Sequence, residues 1–157
     1  MVAANTNYDP TLKLGSQGDK VKELQALLNK RLSSREQIKV DGVFGSKTED
    51  AVKIIQYQFL LKQDGIAGPL TWKSLRANSP VDKPTLRRGS TGEQVAIVQK
   101  VLKDGGYYNG AIDSNFGEKT ETAVKAFQKD KKLLVDGIIG DKTWEALSLL
   151  ASFMTVD

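Results

Sequence analysis

The chain contains neither cysteine nor histidine, which removes thiol nucleophiles, disulfides, imidazole bases and nearly all zinc sites at once. What recurs at fixed spacing is a polar pattern, Asp-Gly/Ser-x-x-Gly-x-x-Thr, at Asp41 to Thr48, Asp64 to Thr71, Asp113 to Thr120 and Asp136 to Thr143. An aspartate so placed accepts hydrogen bonds from the following backbone amides, as in an Asx-turn, while the glycine supplies positive φ. Each pattern precedes a helix-like stretch, and free amides at a helix start beside short side chains can receive a glycan hydroxyl or a peptide carboxylate. Asp41, Asp113, Asn115, Thr120 and Asp136 are therefore expected ligand contacts. No metal is expected: Asp113-Ser114-Asn115 superficially suggests a calcium loop, but Glu118 and Val124 stand where an EF-hand needs glycine and glutamate.

Gln56 and Gln128 offer an amide donor and acceptor suited to peptide or acetamido groups, and equally suited to tying down a loop. Tyr107, Tyr108 and Asn109 form an amphipathic stretch of the kind that contacts sugars or peptides, with no counterpart in the earlier half of the chain. Phe44, Phe116, Trp72 and Trp144 read first as core, because small domains need their large side chains for stability. Phe44, Phe116 and Trp144 are also carried as expected ligand contacts. The remaining carboxylates sit at helix starts or on helix surfaces, so no pair is sequestered to raise a pKa for acid catalysis. No cofactor is called for.

These residues are positioned by a repeat. Leu14-Gly15-Ser16-Gln17-Gly18 with Val21, Leu24, Gln25 and Leu28 returns as Arg88-Gly89-Ser90-Thr91-Gly92 with Val95, Val98, Gln99 and Leu102, an offset of 74 residues. From Asp41 to Leu75 the offset is 72, so the first copy has two extra residues between Asn29 and Lys39. Val21, Leu24 and Leu28 give an apolar helical stripe. Ala51, Val52, Ile55 and Phe59 mark a second helix, and Trp72 with Leu75 a short third. Gly68-Pro69 predicts glycine at the N-cap and proline in the first helical position; by alignment Gly45, Gly117 and Gly140 do likewise, although Ser46-Lys47-Thr48-Glu49 also spells a capping box.

Composition fits a folded chain with 39% hydrophobic and 27% charged residues. A net charge of +4 suits an anionic partner without choosing among wall polymer, acidic glycan and nucleic acid. No stretch approaches the roughly 20 apolar residues of a membrane span, and Met1 to Thr11 shows no basic then apolar leader pattern.

The ordered set resembles the peptidoglycan-binding domain family twice over, in Gly-x-x-Gly-x-x-Val-x-x-Leu-Gln, Asp-Gly-x-Phe-Gly-x-x-Thr and Asp-Gly-x-x-Gly-x-x-Thr-Trp. The second copy is closer, with Gly106-Tyr107 and Ala126-Phe127-Gln128, although Ser114 replaces a glycine; the first lacks Gly-Tyr. The repeat and its helical spacing predict an all-α chain of two tandem small three-helix bundles, of the type that the resemblance names: a tail over 1–11, domains over 12–75 and 86–147, a linker over 76–85 and an apolar extension over 148–157. The resemblance further implies non-catalytic recognition of peptidoglycan, outside the cytoplasm in the periplasm or cell wall, in partnership with a cell-wall hydrolase. If only one domain binds, the second is expected. A basic protein- or nucleic-acid-interaction module is the alternative. Leu149, Leu150, Phe153 and Met154 have helical spacing and should pack on a domain or mediate self-association.

Overall fold

The structure is a computed structural model that describes residues 8–155. Within them lie six helices: α1 (Asp19–Arg31), α2 (Ser46–Gln58), α3 (Pro69–Ala77), α4 (Glu93–Asp104), α5 (Glu118–Asp130) and α6 (Asp141–Met154). Among the described residues extended pairing is confined to isolated bridges, so the all-α expectation holds. The chain divides into two compact units. The first comprises the described residues up to Gln56 with Gln63–Asn78, and the second comprises Tyr57–Lys62 with the described residues from Ser79 onward.

In the first unit the stripe of α1, Val21, Leu24 and Leu28, is fully buried, together with Val52 and Ile55 of α2 and Trp72 of α3. Trp72 satisfies its indole N–H by donating to the Pro10 carbonyl at 2.7 Å, which lets the ring sit in the core without an orphaned donor. Arg76 reaches both oxygens of Asp9 and the carboxylate of Glu23, with its guanidinium 5.2 Å from the centre of the Trp72 ring. That arginine holds the carboxyls of Asp9 and Glu23 below the usual range. α3 ends where Asn78 turns into the left-handed region at φ 56, with Pro80 just beyond. Arg76 and Ala77, read from sequence as linker, are thus the last residues of this helix.

The second unit repeats the plan around Val95, Val98, Leu102, Phe116, Phe127, Trp144 and Leu147. Trp144 donates to the Pro84 carbonyl at 2.7 Å, as Trp72 does to Pro10. Leu60 belongs to this core, and Ser148 donates to the Gln58 carbonyl at 2.6 Å. Lys83 donates to the Leu60 carbonyl and, at 2.9 Å, to Gln94, with its ammonium 5.2 Å from the centre of the Trp144 ring; burial pushes its pKa down to about 8. Residues 148–154, expected as part of an extension, continue α6. Its last turns bury Ser148 and Ala151, while Leu150 and Met154 pack against the core.

Candidate functional site

The four polar loops are built in one way. On the helix preceding each loop a buried glutamine points its amide into the loop. Gln25 of α1 donates to Asp41 Oδ1 (3.2 Å), the Val43 carbonyl (3.1 Å) and Thr48 Oγ1 (3.1 Å), and its own oxygen accepts the Gly42 amide at 3.0 Å. Gln56 of α2 treats Asp64, Ile66, Thr71 and Gly65 identically. Gln99 of α4 donates to Asp113, the Asn115 carbonyl and Thr120, and accepts from the amides of Asp113 and Ser114. Gln128 of α5 donates to Asp136, the Ile138 carbonyl and Thr143, and accepts from Asp136 and Gly137.

Each aspartate completes the expected Asx-turn, accepting the amide two residues on: Val43 at 3.0 Å, Ile66 at 2.9 Å, Asn115 at 3.0 Å and Ile138 at 2.9 Å. That backbone hydrogen bond, backed by the glutamine, holds the carboxyls of Asp41, Asp113 and Asp136 below the usual carboxylate range. The residue after the aspartate takes positive φ, 76° at Gly42, 75° at Gly65 and 73° at Gly137, and Ser114 is forced to 66°. Gly68, Gly117 and Gly140 are N-caps without a side-chain hydrogen bond, and Pro69 opens α3, as the alignment predicts. α2 begins at Ser46, immediately after Gly45, so Ser46 is the first helical residue and not the cap that the capping-box reading would make it.

In each unit the segment ahead of the first helix lies between the two loops. Leu12 exchanges both backbone hydrogen bonds with Ala67, and Gly15 donates to the Phe44 carbonyl while the Phe44 amide donates to Ser16. Leu86 with Ile139, and Gly89 and Ser90 with Phe116, do the same in the second unit. One face of each unit is therefore a rigid platform of three backbone segments.

The expected contact residues divide on this scaffold. Asp41, Asn109, Asp113, Asn115 and Asp136 are exposed, and four of them lie on the loop platforms. Phe44, Gln56, Tyr108, Phe116, Thr120, Gln128 and Trp144 are buried, so a ligand does not reach them in this conformation. They build the loops and the core. For Gln56 and Gln128 the loop-tying alternative is the one observed, because donors and acceptor are already occupied. Tyr108 donates to the Ala111 carbonyl at 2.6 Å. Tyr107 packs edge-on against Phe127 with ring centres 5.2 Å apart and donates to Asp130, which pushes its pKa up to about 12. The two tyrosines thus fasten the turn after α4 and leave only Asn109 as its exposed polar side chain.

Gln25 and Gln99 carry half of the loop architecture and were not singled out by sequence. Their signal was the position itself, a glutamine on the helix before every polar loop. A further feature went unread, a cavity of about 500 Å³ beside α6, whose lining includes Lys131, Leu133, Lys142, Leu149 and Phe153. Among the described residues no group of three or more acidic side chains converges as a metal site would require, and no helix is long and apolar enough to cross a membrane.

The fold and these platforms define a tandem pair of glutamine-clamped three-helix units. Residues 17–75 and 91–147 each match the family described as "Putative peptidoglycan binding domain", and the chain belongs to that family. It is similar to the N-acetylmuramoyl-L-alanine amidase CwlM of Mycobacterium tuberculosis, 34% identical across 70% of this chain and 28% of that protein. It is similar also to the amidase CwlL of Bacillus licheniformis, 33% identical across 88% of this chain and 45% of that protein. The spore cortex-lytic enzyme of Bacillus subtilis is 41% identical across 44% of this chain and 23% of its own length. The chain thus spans less than half the length of these curated relatives.

Proposed function

We propose that this chain is a non-catalytic module that binds bacterial peptidoglycan outside the cytoplasm and holds a cell-wall hydrolase or other wall factor close to its substrate. The observation that carries the reading is the coincidence of the two family matches with the two clamped platforms. The named activities of the relatives, wall amidases and a cortex-lytic enzyme, fit a shared wall-binding region, because the stretch in common is a minority of each enzyme. The electrostatics point the same way. Asp9, Glu23, Asp41, Asp113 and Asp136 are all held below the usual carboxylate range, the reverse of what a general acid at neutral pH needs.

On this reading Asp41, Asp113, Asn115 and Asp136, with Asn109 nearby in sequence to the second platform, are the accessible polar groups that meet the wall, and the second unit is the stronger binder. The test is cosedimentation of the purified chain with insoluble sacculi. Retention in the pellet at low and moderate salt is expected, with no soluble muropeptide released. Protein that stays in the supernatant under both conditions overturns the binding reading, and released muropeptides overturn the non-catalytic one.

A further inference from the structure

α6 has 14 residues where α3 has nine, and the surplus is chemically distinctive. Leu149 and Phe153 lie one turn apart with 70% and 79% of their surface exposed, although both are apolar side chains whose burial is favourable. They border the cavity of about 500 Å³, whose apolar lining is continued by Leu133 and Leu150. Two ammonium groups, Lys131 and Lys142, stand on the same lining against one carboxylate, Glu145. Among the described residues neither lysine is in an ion pair. Lys142 and Leu133 also line a smaller adjoining cavity, of about 250 Å³, that reaches Asp136 and the start of α6.

The aligned positions of the first repeat do not reproduce this set. Lys131, Lys142, Leu149 and Phe153 correspond to Phe59, Leu70, Ala77 and Val81. An apolar concavity of this size with a pair of cations matches a small amphipathic ligand. A glycan strand is a poor fit, since its hydroxyls find few hydrogen-bonding partners over leucine and phenylalanine. A second copy of the same face would set lysine against lysine. A short peptide with alkyl side chains and free carboxylates satisfies both halves of the surface.

Resting on the wall-binding reading above, we propose that the α6 groove of the second unit is a subsite for the stem peptide of peptidoglycan. Its alkyl groups lie over Leu149, Leu150 and Phe153, and its carboxylates lie between Lys131 and Lys142.

The full chain is titrated by amide NMR with the synthetic pentapeptide L-Ala-γ-D-Glu-L-Lys-D-Ala-D-Ala and, separately, with chitotetraose. Saturable shifts confined to residues near 131–153 are expected with the pentapeptide alone. Lys142→Gln and Lys131→Gln should each weaken binding about fivefold, the worth of one exposed charge pair. Phe153→Ser, at a largely exposed position, should weaken it without unfolding the chain, and Lys30→Gln in the first unit should change nothing. Unmoved resonances with the pentapeptide, or shifts at this face with chitotetraose, overturn the proposal. So does a dimer in sedimentation velocity that Phe153→Ser dissolves. Cosedimentation with sacculi, run on the same sample, separates the two levels. Retained wall binding without a pentapeptide response sinks the subsite alone, and loss of wall binding removes the reading beneath it.

Discussion

Replacing Gln128 with leucine keeps the side chain close in size and removes both ends of the amide. Three acceptors lose a donor: Asp136 Oδ1, the Ile138 carbonyl and Thr143 Oγ1. Two amides, of Asp136 and Gly137, lose an acceptor. Asp136 is exposed, so water restores what its carboxylate loses, but Thr143 and Gly137 are buried. At about 1–3 kcal/mol for each buried group left unpaired, the two together cost about 2–6 kcal/mol. A unit of roughly 80 residues has only about 4–12 kcal/mol in total, so Gln128→Leu should move the denaturant midpoint of the second unit by about a fifth or more. Hydrogen exchange should show Gly137 and Ile138 losing protection first. Gln128→Glu is the sharper variant. At neutral pH it sets a second carboxylate against Asp136 and should be as damaging, whereas protonation restores an O–H donor, so its deficit should shrink as pH falls toward 5. A loss below about 1 kcal/mol in Gln128→Leu, with protection at Gly137 unchanged, would refute the clamp as the source of loop order.

Ser74 Oγ is a buried side-chain atom without a hydrogen-bond partner, and the aligned residue of the second repeat is Ala146; Ser74→Ala should raise stability by about 1 kcal/mol in chemical denaturation. Ser114→Gly relieves a left-handed serine at φ 66 and should stabilise by about 0.5–1 kcal/mol, the left-handed penalty less the added chain entropy of glycine, read from the same curves. Lys83 gives up its proton at about 8 in the folded chain and at about 10.4 when unfolded. The unfolded state holds the extra proton between these values, so stability rises with pH across that window. The thermal midpoint should climb from pH 8 to pH 10 in the wild type and stay flat in Lys83→Met. Above pH 10 Tyr107 opposes the trend, since its folded pKa of about 12 means that the unfolded tyrosine ionises first.

The helices were legible because apolar spacing is a local property: Val21, Leu24 and Leu28 announce one face of α1, and Gly68-Pro69 announces the start of α3. The role of the glutamines was only half legible. Gln56 and Gln128 could serve a ligand or a loop equally well on residue type, and the choice depends on backbone carbonyls that only the folded loop brings within 3 Å. Gln25 stands much farther from its loop in sequence than Gln56 does from its own, which hid that the two do the same work. Tyr107 and Tyr108 read as binding residues because tyrosine suits both a sugar and a core; Phe127 and the Ala111 carbonyl decide between them. The α6 groove escaped notice because its lining draws on two elements, the end of α5 with the following loop and α6 itself.

The clamp also divides each unit into stretches whose length is fixed and stretches where it is free. Between Asp41 and Thr48 every residue is measured against one amide, so an insertion there would pull the aspartate or the threonine off Gln25. Between α1 and Asp41 nothing is so measured. The first repeat already carries two additional residues there, secured separately by Asn29, which exchanges hydrogen bonds with Ile38, and by Gln37 reaching back to the Asn29 carbonyl. That connection in the first unit is where a tag, a fluorophore or a new recognition loop can be grafted while the loop platform keeps its shape.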